Sequence, residues 1–174
     1  GCIDRDTFGA PEDSPYILPF PAGTAYRLNN SYCWPAGGHR EQLAYDFAMP
    51  VGDPVVATRG GVVRDVKQDS PDDGQGTDHN HVTVEHEDGT VGFYAHLQQW
   101  SVLVQSGETV QAGQRIANTG HSGTTDIPPL PFGVYAGYPP SEGRDRAVNF
   151  RNTHGPLDCR GGLVMGETYR ALAD

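Results

Sequence analysis

Residues 38–57 read GHREQLAYDFAMPVGDPVVA and hold two candidate metal ligands, His39 and Asp46, just before a turn and a β-branched run. The turn is Gly52-Asp53-Pro54, and the run after it is typical of a strand. A zinc ligand is a neutral imidazole or a carboxylate about 2 Å from the ion, so two such groups joined by a short loop can converge on one centre. The pair is a candidate metal site at the edge of a sheet. Two ligands alone do not complete a site, and the alternative is a surface histidine with a turn aspartate.

The composition favours one β-rich domain. The 174 residues suffice for a single domain core and are too few for two ordinary domains. With 23 Gly, 14 Pro and 9% aromatic residues, the chain is typical of a turn-rich β protein rather than a helical bundle. The net charge of -10 disfavours nucleic acid and anionic polymers as partners. A neutral or zwitterionic partner, such as a peptide, a glycan or another protein, remains open.

Four stretches alternate β-branched or aromatic residues with polar ones, as half-buried strands do. Between the last two lies Asp88-Gly89, and this dipeptide between alternating runs is a strong hairpin signal. We therefore expect these stretches to form the sheet. They are residues 55–58, 61–67, 80–86 and 90–96.

The C-terminal third gives three further expectations. The prolines within residues 128–131 remove backbone donors, so the strand near Phe132 is expected to start late. Residues 147–150 are predicted as a last short strand, and residues 166–172 as one weak helical turn.

Several short motifs occur in an order and spacing that resemble one family. They are DFAMPVG (46–52), NHV (80–82), HEDG (86–89), YAHL (94–97), GETV (107–110) and GHSG (120–123). Over about residues 16–150 the chain resembles the LytM/lysostaphin-type zinc metallopeptidases, mainly peptidoglycan hydrolases that cut peptide cross-links or stem peptides of the bacterial cell wall. The resemblance implies a mainly β fold. Its core is an antiparallel sheet of the LytM/lysostaphin peptidase type, similar to a barrel-sandwich hybrid, with long loops and little helix.

The resemblance also implies roles for single residues. His39 and Asp46 match two zinc ligands, and His96 matches a catalytic histidine. The family carries a His-x-His motif before a phenylalanine, where this chain has Pro129-Leu130-Pro131-Phe132. In the family one of those histidines is the third zinc ligand and the other is catalytic, and proline has no side-chain donor atom for either role. We therefore predict no zinc or weakly bound zinc.

Two further expectations concern the groove around this site. Asp126 lies in the loop that carries the prolines and is a candidate surrogate for the missing ligand, the alternative being that it caps a turn. Tyr45 and Tyr135, with His39 and His96, are expected to bound an empty groove in which a peptide could bind. We place His79, His81 and His86 on the sheet surface or in the hairpin and not in a second metal cluster.

The three cysteines, Cys2, Cys33 and Cys159, are an odd number for an exported protein. One interpretation makes Cys2 the lipid-modified first residue of a lipoprotein. It pairs Cys33 with Cys159 in a disulfide, which contributes about 4 kcal/mol on the chain-entropy model. The alternative is three unpaired thiols.

These observations predict a protein exported to the periplasm or cell envelope, whose membrane contact is a lipid on Cys2. The favoured function is that of a catalytically inactive or impaired member, acting in peptidoglycan binding or in the regulation of cell-wall hydrolases. Its partner would be a peptidoglycan peptide or a wall hydrolase. The alternative is an active zinc endopeptidase with a substituted third ligand. The expected organisation is a tether at residues 1–15, a peptidase-like domain at 16–150 and a packed extension at 151–174.

Overall fold

The computed structural model describes residues 8–31, 43–76, 78–123 and 130–174. Within these ranges the chain forms twelve β-strands and one short 3-10 helix, Pro11–Asp13, and no helix there is long and apolar enough to cross a membrane. The strands are Ala25–Asn30 (β1), Ala44–Phe47 (β2), Pro54–Val56 (β3), Gly61–Lys67 (β4), His81–Glu85 (β5), Val91–Tyr94 (β6), Thr109–Val110 (β7), Arg115–Asn118 (β8), Leu130–Tyr135 (β9), Asp145–Arg146 (β10), Thr153–His154 (β11) and Thr168–Ala171 (β12).

Ten of these strands form one antiparallel sheet. Their order is β11-β12-β1-β2-β9-β6-β5-β4-β7, with β10 paired to β9, while β3 and β8 form a separate two-stranded sheet. This architecture confirms the predicted class, mainly β with an antiparallel sheet and little helix. Residues 151–174 supply β11 and β12, and β12 pairs with β1, so the C-terminal extension continues the large sheet.

The hydrophobic core lies against one face of the central strands. Side chains alternate between the two faces of a strand, so Tyr45 and Phe47 of β2 point to the core while Asp46 lies on the opposite face. Phe132 of β9 is also in the core, and Phe150 packs on Phe132 and Phe47 with ring centroids 6.0 and 6.5 Å apart. Tilted and edge-to-face rings of this size bury much apolar surface and stabilise the sheet.

The predicted Asp-Gly hairpin is confirmed. β5 and β6 pair antiparallel, with Val84 opposite Gly92. The His86 N–H donates to the Thr90 carbonyl at 2.8 Å, and the Gly89 N–H donates to the His86 carbonyl at 2.9 Å. Gly89 has a φ of +83°, a left-handed conformation that glycine adopts without a Cβ clash.

The strand near Phe132 starts earlier than predicted, at Leu130, and includes Pro131. The Pro131 carbonyl accepts a hydrogen bond from the Ala95 N–H at 3.2 Å. In an antiparallel strand the N–H and C=O of one residue point to the same edge of the strand. The N–H that proline lacks would therefore point toward Ala95, which directly follows β6. A proline near the start of a strand is tolerated because little of the ladder is lost there.

The two predictions for the C-terminal tail are wrong. Residues 147–150 are not a strand, although Val148 and Phe150 are buried, so their apolar pattern reflects burial and not strand pairing. The short strand of this region, β10, lies just before them. Residues 166–172 contain β12 instead of a helical turn, because pairing with β1 overrides a weak local preference for helix.

Tyr94 links the core to the residues that follow β3. We expect the Tyr94→Phe variant to lose about 2 kcal/mol of unfolding free energy, which urea denaturation measures. The buried Tyr94 hydroxyl accepts from the Thr58 backbone N–H at 2.7 Å and lies 2.9 Å from the Thr58 hydroxyl. Without it, a buried N–H is left unpaired.

Tyr45→Phe is the matched control for this change. Tyr45 is about as buried as Tyr94, and its hydroxyl donates to the Val148 carbonyl at 3.1 Å without accepting from a backbone N–H of the described residues. Its removal should cost about 1 kcal/mol. Equal losses in the two variants would contradict the role assigned to the Thr58 contacts.

Candidate functional site

Asp46 and Pro131 face each other across two central strands. β2 and β9 pair antiparallel, with Asp46 opposite Pro131 and Ala44 opposite Gly133. Opposing residues on one face of an antiparallel pair have Cβ atoms about 5 Å apart. The second proline of the predicted motif thus lies beside the predicted ligand Asp46, and it has no lone pair to offer a metal ion.

Tyr45 does not line a groove, which corrects the sequence prediction. Only 2% of its surface is exposed, and its ring packs against Phe8 and Phe150 at 6.4 and 5.7 Å between centroids. The reason is strand alternation, since a side chain next to Asp46 in β2 must point to the opposite face.

Several predicted site residues lie outside the described residues. They are His39, Asp126 and Pro129, together with Cys2 and Cys33. Their assigned roles therefore stay predictions. Cys159, the proposed disulfide partner of Cys33, is exposed and is a free thiol in the structure.

His96 lies just after β6 in a constrained position. Its φ of +51° is in the left-handed region, which is uncommon for a residue with a Cβ. Its Nδ1 donates a short hydrogen bond to the Ser122 carbonyl. With Nδ1 protonated, the neutral ring presents Nε2 as an acceptor, which suits a proton-handling or ligand-binding role.

His79, which sequence reasoning placed on the sheet surface, lies between His96 and His81. The His79 ring is 5.4 Å from the His96 ring and 5.2 Å from the His81 ring, between centroids. Burial lowers the pKa of His79, and the charges of His81 and His96 lower it further. His79-x-His81 at the start of a strand was the only signal in the sequence, and it does not reveal contact with a distant histidine.

His86, the third histidine of that assignment, lies in the hairpin as predicted but is buried, with 3% of its surface exposed. Its Nδ1 is 2.8 Å from the Gly60 carbonyl, and its ring meets Tyr16 edge to face. It therefore belongs to the packing of the hairpin.

Tyr135 lies on the Asp46 face of the sheet, as its predicted place beside the groove requires. It is half-buried, and its ring meets Phe93 edge to face at 6.2 Å. Burial raises the pKa of the Tyr135 phenol, and the nearby Asp145 carboxylate adds to the shift. Gly133 lies between Tyr135 and Pro131 and is buried, because the Tyr135 ring lies 3.6 Å from the position that a Cβ of Gly133 would take.

The antiparallel sheet, with Asp46 on one central strand and the His79–His96 pair next to two others, defines a protein with a metallopeptidase fold. The chain belongs to Peptidase family M23, whose sequence model matches residues 40–149. The peptidoglycan DD-endopeptidase ShyA of Vibrio cholerae serotype O1 is 32% identical over 112 residues, which are 64% of this chain and 23% of ShyA. The chain thus spans about a quarter of the length of that relative.

Solved structures share the fold. The catalytic domain of the prophage-encoded M23 protein EnpA from Enterococcus faecalis, crystallised as a point mutant, has a TM-score of 0.56 and 25% identity, covering 75% of this chain and 94% of that one. The catalytic domain of lysostaphin from Staphylococcus simulans has a TM-score of 0.51 and 24% identity, covering 71% and 87%. These likenesses confirm the LytM/lysostaphin-type fold predicted from the motifs.

The M23 family is zinc-dependent, and the described part of this chain does not fit a catalytic zinc site. In residues 8–31, 43–76, 78–123 and 130–174, no group of three or more His, Cys, Asp or Glu side chains is arranged to hold a metal ion. Of the predicted ligands only Asp46 lies in these ranges, and Pro131 stands opposite it. A catalytic zinc site needs three protein ligands and a position for water.

The histidine cluster predicts a pH dependence of stability. His79 titrates near 6.5 when unfolded and below that value when folded, so the unfolded chain binds more protons as the pH falls through this interval. Stability contributed by His79 is full above 6.5 and is lost as the pH falls through its folded pKa. We therefore expect His79→Gln to show a shallower fall in melting temperature than the wild type between about pH 7.5 and 5.

His86 has a lowered pKa through burial as well, so part of the acid loss should persist in the His79 variant. Thermal melting at a series of pH values measures the difference between the two proteins. Parallel curves for wild type and His79→Gln would contradict the assigned pKa shift.

Proposed function

We propose that this chain is an exported cell-envelope protein with an M23 scaffold. It binds peptidoglycan peptides and has little or no activity in hydrolysing them. The register of β2 and β9 supports this most strongly, because it puts Pro131 directly opposite Asp46. Any ion held by His39 and Asp46 would lack the ligand that the His-x-His motif supplies. Two protein ligands hold a hydrated ion weakly, since zinc sites take three or four.

Peptidoglycan is the proposed ligand because of the family and the remaining surface. ShyA is by name a peptidoglycan DD-endopeptidase, and this chain shares its M23 domain. The net charge of -10 disfavours polyanions, whereas stem peptides carry amides and both signs of charge.

The Asp46 face still offers contacts to such a peptide. The half-buried rings of Phe93 and Tyr135 meet edge to face there and offer an apolar contact. The His96 imidazole has its Nδ1 bonded to Ser122, which leaves Nε2 for a ligand. The scaffold therefore retains binding groups although its third ligand position is proline.

Metal analysis and muropeptide digestion of the purified chain test this proposal. We expect substoichiometric zinc after dialysis against micromolar metal, binding of cross-linked muropeptides, and no cleavage detectable by chromatography. Stoichiometric zinc with cleavage that chelator abolishes and zinc restores would overturn it in favour of an active endopeptidase. Loss of that zinc in Asp126→Ala would then identify Asp126 as the substituted ligand.

Within the proposal, wall binding and hydrolase regulation are separated by a reconstituted assay. A regulator would change the rate at which a purified cell-wall amidase digests peptidoglycan and would be retained by that amidase in pull-down. A binding module would sediment with peptidoglycan sacculi and leave the rate unchanged.

Export and the lipid on Cys2 belong to the same proposal. Intact-mass measurement of the protein from its native envelope tests both, because acylation adds mass at the N-terminus. An unmodified N-terminus in that material would overturn the lipid on Cys2.

A further inference from the structure

Trp100 is displayed to solvent in an unusual way. Its side chain is 68% exposed, and its φ of +59° lies in the left-handed region that favours glycine. Large aromatic side chains normally bury most of their surface. A strained, exposed tryptophan is therefore a candidate ligand contact.

The backbone around Trp100 is held on both sides. The Trp100 N–H donates to the Gln68 carbonyl at 2.8 Å, and the Val102 N–H donates to the Gln68 side-chain oxygen at 3.1 Å. The Gln99 N–H donates to Asp72 Oδ2 at 2.9 Å. The ring is thus presented by a fixed turn and not by a loose loop.

The same frame connects Trp100 to the candidate site. Asp72 Oδ1 accepts from the His121 N–H at 3.1 Å while Oδ2 holds Gln99, so one carboxylate ties the Trp100 turn to the loop that follows β8. In that loop the Gly120 N–H donates to the His96 carbonyl at 2.9 Å. Trp100 therefore has a defined position relative to His96, which lies four residues before it in the chain.

Side-chain amides surround the turn. Gln68 uses its oxygen for Val102, and Gln99 uses one amide hydrogen for the Asp69 carbonyl at 3.0 Å. An amide side chain has two donors and two acceptor lone pairs, so both retain capacity for a ligand. An exposed aromatic ring on a turn held by two amide side chains suits a pyranose ring, which has an apolar C–H face and a rim of hydroxyl groups.

We propose that Trp100, with Gln68 and Gln99, forms a subsite for the glycan strand of peptidoglycan, an amino-sugar polymer whose ring stacks on the indole. This rests on the proposed function, since it adds the saccharide part of the ligand to the peptide bound on the Asp46 face. A protein partner is less favoured, because interface tryptophans sit in desolvated apolar pockets and this turn is rimmed by amides.

The test measures binding of the full chain to two probes, peptide-free glycan strands prepared with an amidase and cross-linked stem peptides without sugar. Trp100→Gly should weaken glycan binding about tenfold or more and leave stem-peptide binding unchanged. Trp100→Phe should keep most of the glycan affinity. The glycine variant should also melt at a higher temperature, because glycine adopts a φ of +59° without strain, so misfolding cannot explain a loss.

Leu103→Ala is the matched control. Leu103 lies three residues further along and is 61% exposed, but an alkyl chain cannot stack as an indole does. We expect its glycan affinity to equal that of the wild type. Failure of the wild type to bind glycan, wild-type affinity in Trp100→Gly, or equal losses in the Leu103 and Trp100 variants would overturn the subsite, the last result indicating an apolar protein-docking surface.

The two proposals fail separately. If the chain cleaves muropeptides or does not bind them, the proposed function is wrong, and the glycan-binding measurements on the Trp100 variants still decide whether the subsite exists. If muropeptides bind without being cleaved and glycan strands do not bind, only the subsite is wrong.

Discussion

The double variant Pro129→His with Pro131→His is expected to bind zinc on the order of 100-fold more tightly than the wild type, and to gain zinc-dependent cleavage of peptidoglycan peptides. Position 131 lies opposite Asp46 in the β2–β9 ladder, so an imidazole introduced there can reach an ion that the carboxylate contacts. Competition with a chromogenic chelator measures the affinity, and chromatography of digested muropeptides measures the cleavage.

The conformation of β9 is compatible with histidine at position 131. Pro131 already lies in β9, and its carbonyl already bonds to the Ala95 N–H. Replacing proline restores a backbone N–H on the same edge, which adds a donor to the ladder instead of removing one. The variant should therefore fold at least as well as the wild type, and its gain of zinc should not depend on rearrangement of the sheet.

Pro129→Ala with Pro131→Ala is the matched control. It removes both prolines and restores both N–H groups but introduces no side-chain donor atom. We expect its zinc affinity and its lack of cleavage to equal those of the wild type. Zinc gained by the alanine pair would show that backbone strain, and not a missing ligand, limits the site. A folded histidine variant without zinc would show that His39 and Asp46 do not form the other part of a metal site.

Much of the fold could be predicted because short-range signals agree with the tertiary structure. The Asp88-Gly89 turn and the alternation before and after it identify β5 and β6, which the structure confirms. The motif order identified the family, and one of the two departures from its motif, Pro131, lies on the strand beside Asp46. These features depend on residues near each other in the chain.

The errors arose where the answer depends on distant contacts. Residues 166–172 carry a weak helical pattern, but pairing with β1 makes them a strand. The prediction placed Tyr45 and its neighbour Asp46 at the same groove. Neighbouring side chains in a strand point to opposite faces of the sheet, so the two cannot line one groove. His79 gave no sequence signal of its contact with His96, because the two are joined only through the fold.

Asn80, like His79, has a role that is visible only in the folded structure. We expect the Asn80→Ala variant to lose about 3 kcal/mol of unfolding free energy. Asn80 is fully buried, and its side chain makes three hydrogen bonds. Its Oδ1 accepts from the Ser70 N–H at 2.9 Å, and its Nδ2 donates to the carbonyls of Ser70 at 2.9 Å and Leu97 at 3.1 Å. The truncation leaves three backbone groups without these partners.

The change should also loosen the site, because Asn80 lies between His79 and His81 and bonds to the residue after His96. Its own N–H donates to the Ser122 hydroxyl at 2.9 Å, in the loop whose carbonyl holds His96. Urea denaturation measures the stability, and hydrogen exchange around residues 96–101 and 119–123 measures the loosening. We expect faster exchange in both segments and weaker muropeptide binding.

Asn152→Ala separates loss of stability from loss of the site. Asn152 is also a buried asparagine with side-chain bonds to two backbone groups, the Leu18 N–H at 2.8 Å and the Leu172 carbonyl at 3.2 Å, and both groups lie outside the site loops. Its variant should lose a comparable amount of stability and keep muropeptide affinity and slow exchange at 96–101 and 119–123. If both variants weakened binding equally, the loops would depend on global stability alone. A selective effect of Asn80 would show that one buried amide positions His79 and His96.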